Sequence, residues 1–145
     1  MTSIAIEPAR VGDLTSILDL LRRSKLPIDD LDRHLPTILV ARRGADIVGS
    51  AALEIYGSGA LLRSVAVDDS LRGQGLGQQL TNAALDLARA KRVKTVYLLT
   101  TTAGDFFPRF GFRAITRADV APDVRRSVEF TTACPSTALV MARQI

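Results

Sequence analysis

The chain has 145 residues, 47% of them hydrophobic and 23% charged, the balance of a folded protein and not of a disordered one. One cysteine, Cys134, excludes an internal disulfide and a cysteine-built metal site, and one histidine, His34, argues equally against a histidine-rich one, so no metal is expected. The net charge of +4 suits an anionic partner, but the arginines are scattered in pairs such as Arg22-Arg23, Arg42-Arg43 and Arg125-Arg126 and the aromatics form no stacking ladder, so nucleic acid is not the expected one.

The start, Met-Thr-Ser-Ile-Ala-Ile-Glu-Pro, has no signal-peptide pattern, and no apolar run approaches the roughly 18 residues that cross a bilayer. The expectation is one cytoplasmic domain over residues 1–145, with no membrane partner. Ile4-Ala5-Ile6, closed by Pro8, reads as a first strand. Asp13 stands where it would cap a helix with an apolar stripe of Leu14, Ile17, Leu18 and Leu21, ending near Ser24-Lys25. Pro27 breaks the chain, and Ile28-Asp29-Asp30-Leu31-Asp32 reads as an acidic loop or helical turn. Thr37 to Arg42 and Ile47 to Tyr56 make a hairpin around Arg43-Gly44-Ala45-Asp46. Gly57-Ser58-Gly59 turns the chain again into a third antiparallel strand, Ala60 to Val67.

A long helix follows, with Leu76, Leu80, Ala83, Ala84, Leu87 and Ala88 in steps of three and four, running to about Lys91. Lys94 to Thr102 comes next and, after a crossover helix, should pair parallel to the strand before it. A short helix within Asp105–Phe110 would end at Gly111 in a left-handed cap, with Phe112 starting a strand. Ala118 to Arg126 is loop-like, and Thr137 to Ala142 reads as the closing strand. This order is that of an α+β fold.

The clearest chemistry lies at the strand-to-helix junction, Val65-Ala66-Val67-Asp68-Asp69-Ser70-Leu71-Arg72-Gly73-Gln74-Gly75-Leu76-Gly77. Glycines here let the backbone approach a ligand closely. The first N–H groups of the helix have no internal partners and point out of its positive end, a ready site for phosphate. Arg72 adds a permanent cation with forked donors. The junction therefore reads as a pyrophosphate cradle. It is not the dinucleotide fingerprint, whose third glycine falls on Gln78, nor a P-loop, which needs Lys after Gly77.

Arg72-x-x-Gly75-x-Gly77 after a Val-x-Val strand resembles the acetyl-CoA signature of the GNAT N-acetyltransferase family. The run Phe-Phe-x-Arg-Phe-Gly-Phe-Arg, from Phe106 to Arg113, looks like that family's second landmark. The resemblance implies a mixed, mostly antiparallel sheet flanked by helices, in which Leu61–Val67 and Lys94–Thr100 splay apart to admit acetyl-CoA as co-substrate. By it, Val65 and Val67 offer backbone groups to the pantetheine arm, while Arg72, Gly73, Gln74, Gly75, Leu76 and Gly77 hold the pyrophosphate. Phe107 and Arg109 flank the cofactor, and a backbone N–H near Val65 or Ala66 polarises the acetyl carbonyl. It also puts Asp29, Asp30, Asp32 and His34 near the acceptor pocket, where the residues alone read as a solvated turn. Family members often dimerise, and an exposed apolar edge on the last strands would be the place for a homodimer.

Many members carry a tyrosine at the place of Phe107, as proton donor to the leaving thiolate; phenylalanine has no proton to give. Phenylalanine also occurs there in members that acetylate amino-acid amines, which favours a small amino-acid-like acceptor. Glu54 is the only carboxylate of its strand and the candidate base, or else an outward-facing residue. Arg63 interrupts an apolar strand, which demands a partner: Glu54, or a substrate carboxylate. Ser64 should face away from it by strand alternation. Thr100-Thr101-Thr102 offers hydroxyls at the splay or satisfies the strand end. The tail from Glu129 to Ala138, with Leu61 to Val67 and the run Leu-Leu-Thr-Thr-Thr-Ala, resembles a subgroup of ArsN-like amino-acid N-acetyltransferases found with arsenic resistance. That implies a detoxifying role on an arsenic-bearing glutamate analogue, although Cys134 alone cannot build a three-thiolate site. The alternatives are acetylation of a protein or peptide amine, and acetyl-CoA sensing without chemistry.

Overall fold

The computed structural model describes residues 3–135 and 137–145; Met1 and Thr2 of the start and Ser136 of the tail lie outside the described residues, as does the side chain of Thr132. Four strands, β1 (Ile4–Pro8), β2 (Ile38–Arg43), β3 (Asp46–Tyr56) and β4 (Gly59–Val67), pair antiparallel in sequence order. β5 (Thr95–Thr100) lies parallel to β4, and β7 (Leu139–Gln144) inserts between β5 and the short β6 (Arg113–Ile115), antiparallel to both. The seven-stranded order is β1-β2-β3-β4-β5-β7-β6. This is the mixed, mostly antiparallel α+β sheet that the sequence implied, with its single parallel pairing at the crossover.

Strand alternation divides the core. Helix α1 (Leu14–Arg23) buries Ile17, Leu20 and Leu21 against Ile38 and Val40 of β2, while helix α2 (Leu76–Ala90) buries Leu80, Ala84, Leu85 and Ala88 against Leu39, Ala41, Leu53 and Leu62. The predicted stripes are rotated slightly. Leu20 is buried where Leu14 and Leu18 are half-buried, and Leu85 where Ala83 and Leu87 are half-buried. α2 sits close over Gly49, where a Cβ would lie 2.8 Å from Leu80 Cδ1 and 3.2 Å from the Ala66 carbonyl oxygen. The tail differs most from expectation. Residues 118–126 hold short 3-10 turns, and a π-helical turn, Glu129–Ala133, follows with no periodic signal in the sequence. The strand predicted from Phe112 starts one residue later, and the closing strand is shifted to Leu139–Gln144. Gly111, at φ 84°, is the left-handed cap expected after Phe107–Phe110.

Asp13 does not cap α1. It is buried, accepts the Arg10 backbone N–H at 2.8 Å, and takes both Nη groups of Arg42, at 3.1 and 2.6 Å. Arg42 Nε donates to Glu7 at 2.6 Å, so one guanidinium joins β1, β2 and the start of α1. Hydrogen bonding from Arg42 holds the Asp13 carboxyl below its ordinary value, despite burial. A depressed carboxylate stabilises the fold above its unfolded value and loses that contribution as pH falls through the folded one. Asp13→Asn should therefore lower Tm at neutral pH and show a smaller drop in Tm between neutral and acidic pH than the unmodified protein. Equal acid slopes in thermal melts would mean that this ion pair adds nothing.

Candidate active site

The site forms along β4. Ser50 pairs with Ala66 but Ala52 with Arg63, so Ser64 and Val65 together stand opposite the single residue Ala51, which is a β-bulge. Ser64 has φ 60°, a left-handed conformation that costs on the order of 1–3 kcal/mol in a residue with a side chain. Ser50 Oγ holds it there by donating to the Ser64 carbonyl at 2.7 Å. β4 pairs with β5 only from Ala60 to Leu62, so Arg63 to Val67 have no partner on that side. A cavity of about 440 Å³ lies in the gap, lined by Leu62–Val67, Leu98–Thr100, Phe106, Phe107, Ser24, Leu26 and Glu129. A second, of about 360 Å³, is lined by Arg72, Gly73, Gly75–Gln78 and Arg109 and shares Val67, Arg72, Gly77 and Phe106 with the first, so the two adjoin.

The outer cavity lies at the glycine junction expected to be the cradle. Gly73 and Gly75 take φ 81° and 83°, and a Cβ built on either would meet nothing within 4 Å, so backbone conformation and not space calls for glycine. Gly75 is the N-cap of α2, whose first N–H groups are directed into this end. Arg72 is 60% exposed and tied only to Asp69, at 3.1 Å, and more loosely to the Val67 carbonyl, at 3.4 Å. Exposed pairs of this kind contribute little, so Arg72 is free to turn to an anion.

The inner cavity is electrostatically different. The Arg63 side chain is fully enclosed. Its Nε donates to Ser64 Oγ at 3.2 Å, Nη1 to Glu54 Oε2 and the Asp29 carbonyl, both at 2.8 Å, and Nη2 to the Pro27 carbonyl at 3.2 Å. The bulge overrides simple alternation, bringing Ser64 to Arg63 instead of away from it. Glu54, one of the two partners expected for Arg63, is paired with it, and protein oxygens take four of its five N–H donors. Glu54 is buried, not outward-facing, and receives Tyr56 Oη at 2.5 Å, with His34 Nε2 at 3.8 Å. Burial pushes its carboxyl up, but hydrogen bonds from Ser127, Tyr56 and Arg63 outweigh this and hold it below its ordinary value. Burial, then the Glu54 carboxylate, pushes Tyr56 up to about 12. A carboxylate so held is a poor proton acceptor, and Glu54 lines neither cavity.

Glu129 was not singled out from the sequence. It lines the inner cavity, and its buried Oε2 lies 3.7 Å from Arg63 Nη2 with no hydrogen-bond partner among the described residues. Burial lifts its carboxyl above the ordinary value. Burial, then the Glu129 carboxylate, pushes Cys134 up to about 12, so Cys134 stays a thiol. Among the described residues, no group of three or more His, Cys, Asp or Glu is placed to hold a metal ion.

A family model described as the acetyltransferase (GNAT) domain matches residues 34–114, more than half of the chain. The chain belongs to the GNAT acetyltransferase family. It is 24% identical over 136 residues to an amino-acid acetyltransferase of Neisseria meningitidis, covering 85% of this chain and 30% of that one. An amino-acid acetyltransferase of Mycobacterium tuberculosis is 34% identical over 79 residues, covering 54% and 45%. The chain thus spans less than half the length of these relatives. By fold it matches N-acetylglutamate synthase from Neisseria gonorrhoeae, solved with coenzyme A and N-acetyl-glutamate, at TM-score 0.84 and 19% identity, covering 99% of this chain and 35% of that one. A Mycobacterium tuberculosis protein solved with CoA matches at TM-score 0.82 and 24% identity over 97% and 99%.

GNAT domains use acetyl-CoA, and the residues here fit it: a glycine-capped helix end with an exposed arginine for pyrophosphate, then an unpaired strand edge for the amides of the arm. Arg72 to Gly77 and Val65 to Val67 stand in these two positions. Phe107 lines the inner cavity and Arg109 the outer, with Phe106, which sequence reading passed over, bridging both. Thr100 lines the gap, yet its Oγ1 accepts the Ala103 N–H at 2.9 Å, the strand-end role. Asp29, Asp30, Asp32 and His34 line neither cavity; Ser24 and Leu26 do so instead.

Gly75→Glu should cut acetyl-CoA affinity at least tenfold, because it strains a left-handed N-cap by about 1–2 kcal/mol and adds negative charge at the phosphate end. Unchanged affinity by calorimetry would sink the cradle assignment. Glu54→Ala should cost roughly 3–5 kcal/mol in urea unfolding, since it leaves a buried guanidinium without its nearest carboxylate; a loss below about 1 kcal/mol, the usual worth of an exposed pair, would mean that the pair is dispensable.

Proposed function

We propose that this protein transfers the acetyl group of acetyl-CoA directly to the primary amine of a small, amino-acid-like acceptor. The observation that carries this reading is one continuous groove, with an anion cradle at one end and a buried cluster of Glu129, Arg63 and Ser64 at the other. Acetyl-CoA supplies an activated acyl group on a thiol leaving group. Arg72 and the α2 N-terminus bind its phosphates, the bulged β4 edge orients the acyl end, and a backbone N–H near Val65 or Ala66 receives developing negative charge. The amino-acid acetyltransferases among the relatives support an amino-acid acceptor. Enclosure of Arg63 beneath the Pro27–Asp29 segment favours a small acceptor over a peptide laid across a groove.

The finer reading is a cytoplasmic detoxifying enzyme acting on an arsenic-bearing glutamate analogue. Cys134, held as a thiol, gives no thiolate for arsenic, so on this reading recognition runs through the amino-acid part of the acceptor. A homodimer would use the margin of β6 and β7, where Leu139 is 39% exposed. The test is thiol release from acetyl-CoA against free amino acids, phosphorus- and arsenic-bearing glutamate analogues, polyamines, aminoglycosides and N-terminal peptides. Turnover is expected on amino acids or their analogues. Turnover confined to peptides, or none with tight acetyl-CoA binding, would overturn the reading.

A further inference from the structure

Three charged side chains are buried together beside the splay: Arg63, Glu54 and Glu129 at 3%, 1% and 4% exposure. Two carboxylates share one guanidinium, and the sharing is unequal. Glu54 takes Nη1 at 2.8 Å, whereas Glu129 Oε2 stands 3.7 Å from Nη2, which already donates to the Pro27 carbonyl. Glu129 Oε1 faces the Cys134 thiol, a weak donor, at 3.6 Å, and Oε2 has no partner among the described residues. The groups facing Glu129 are Arg63 from β4, Glu54 from β3, Asp29 from the connection between α1 and β2, and Cys134 from its own segment. Only one of these is cationic, and it is engaged. A buried carboxylate with an idle oxygen is costly unless something completes it. The cluster is one cation short, and Glu129 lines the cavity that also holds Ser64 and Val65.

We propose that Glu129 receives the protonated amine of the acceptor and takes its proton as the amide forms. This rests on the acetyl-transfer reading and deepens it: the acceptor is a primary amine that enters as a cation. Glu129 Oε2 removes one proton from the ammonium. The freed nitrogen lone pair forms the N–C bond to the acetyl carbon as the C–S bond breaks and its electron pair leaves on sulfur. The nitrogen sheds a second proton, the thiolate gains one through solvent, and Glu129 returns its own to solvent. The net products are amide, free thiol and one proton. Burial raises the proton affinity of Glu129, which suits it to this step, as Glu54 is not suited.

The experiment compares the protein with Glu129→Gln and Glu129→Asp by three readouts. In carbon-13 carboxyl titrations without ligand, one glutamate should titrate above the ordinary range and vanish in Glu129→Gln. CoA affinity should be the same in all three proteins. With L-glutamate and its phosphorus- and arsenic-bearing analogues, Glu129→Gln should lower kcat at least about a hundredfold and move the acidic limb of the pH profile up to the titration of the free amine, while Glu129→Asp keeps the limb of the unmodified protein at reduced kcat. Turnover by Glu129→Gln equal to the unmodified protein, or a Glu129 carboxyl titrating in the ordinary range, would overturn the proposal. If Glu129→Gln does not fold, the same move of the acidic limb in Glu129→Asp overturns it. If the unmodified protein acetylates no amine, the transfer reading fails on that arm, and the carboxyl titration still decides whether Glu129 is the uncompensated group.

Discussion

The interior of this domain depends on one enclosed guanidinium. Arg63 sits where β4 leaves β5, and its donors reach four separate parts of the chain: Glu54 on β3, the Pro27 and Asp29 carbonyls before β2, the bulged Ser64, and, more distantly, Glu129 in the tail. No apolar residue could tie these together, because the carbonyls of a loop crossing a sheet end need donors. The fixed fork of an arginine supplies several from one centre, and its charge is never lost. The desolvation cost is offset by four hydrogen-bonded oxygens, with Glu54 held ionised to match. Arg63 thereby fixes the inner cavity, while the glycine turn before α2 shapes the outer one.

The bulge and the splay are two expressions of one constraint. A regular β4 would continue its parallel ladder with β5 and close the sheet. The extra residue at Ser64 and Val65 rotates the strand and the parallel ladder ends at Leu62, while β5 pairs with β7 along its other edge from Thr95 to Thr100. Buried backbone groups cannot stay unpaired without cost, so the open edge is stable only because a ligand or solvent in the cavity reaches it. The left-handed strain at Ser64 is absorbed locally by the Ser50 hydroxyl, which accounts for a polar residue, 0% exposed, in the middle of β3.

Legibility in the sequence followed the range of the interaction. The glycine junction was readable because it is local: a strand, a turn, two glycines with left-handed dihedrals and a helix start, all within thirteen residues from Val65 to Gly77. The hairpins, the crossover and the Gly111 cap were readable for the same reason. Asp13 was misread because a residue at a helix start ordinarily caps it, and nothing nearby announces Arg42 on a strand 29 positions away. Glu129 was missed because a π-helical turn leaves no period and its partners Arg63 and Glu54 lie far back in the chain. Its one visible signal was a carboxylate flanked directly by the apolar residues Val128 and Phe130.

Phe107 shows how packing and chemistry divide the inner groove. Its ring stands edge-on to Phe106 at 5.1 Å and to Phe112 at 5.8 Å, within the core cluster beneath α2. A hydroxyl there would need a buried partner, whereas the bare ring completes an aromatic wall that separates the groove from the core. The lost proton donor is tolerable, because a thiol of ordinary acidity, near 8.5, leaves as an anion without great penalty and is reprotonated by water. Removing the proton from the amine is the harder demand, since α-amines titrate near 7.7–8.0 and arrive largely protonated at neutral pH. The ionisable groups are distributed accordingly. Phe106 and Phe107 wall part of the inner cavity, and Glu129, whose Oε2 has no hydrogen-bond partner among the described residues, lines the same cavity from the tail segment.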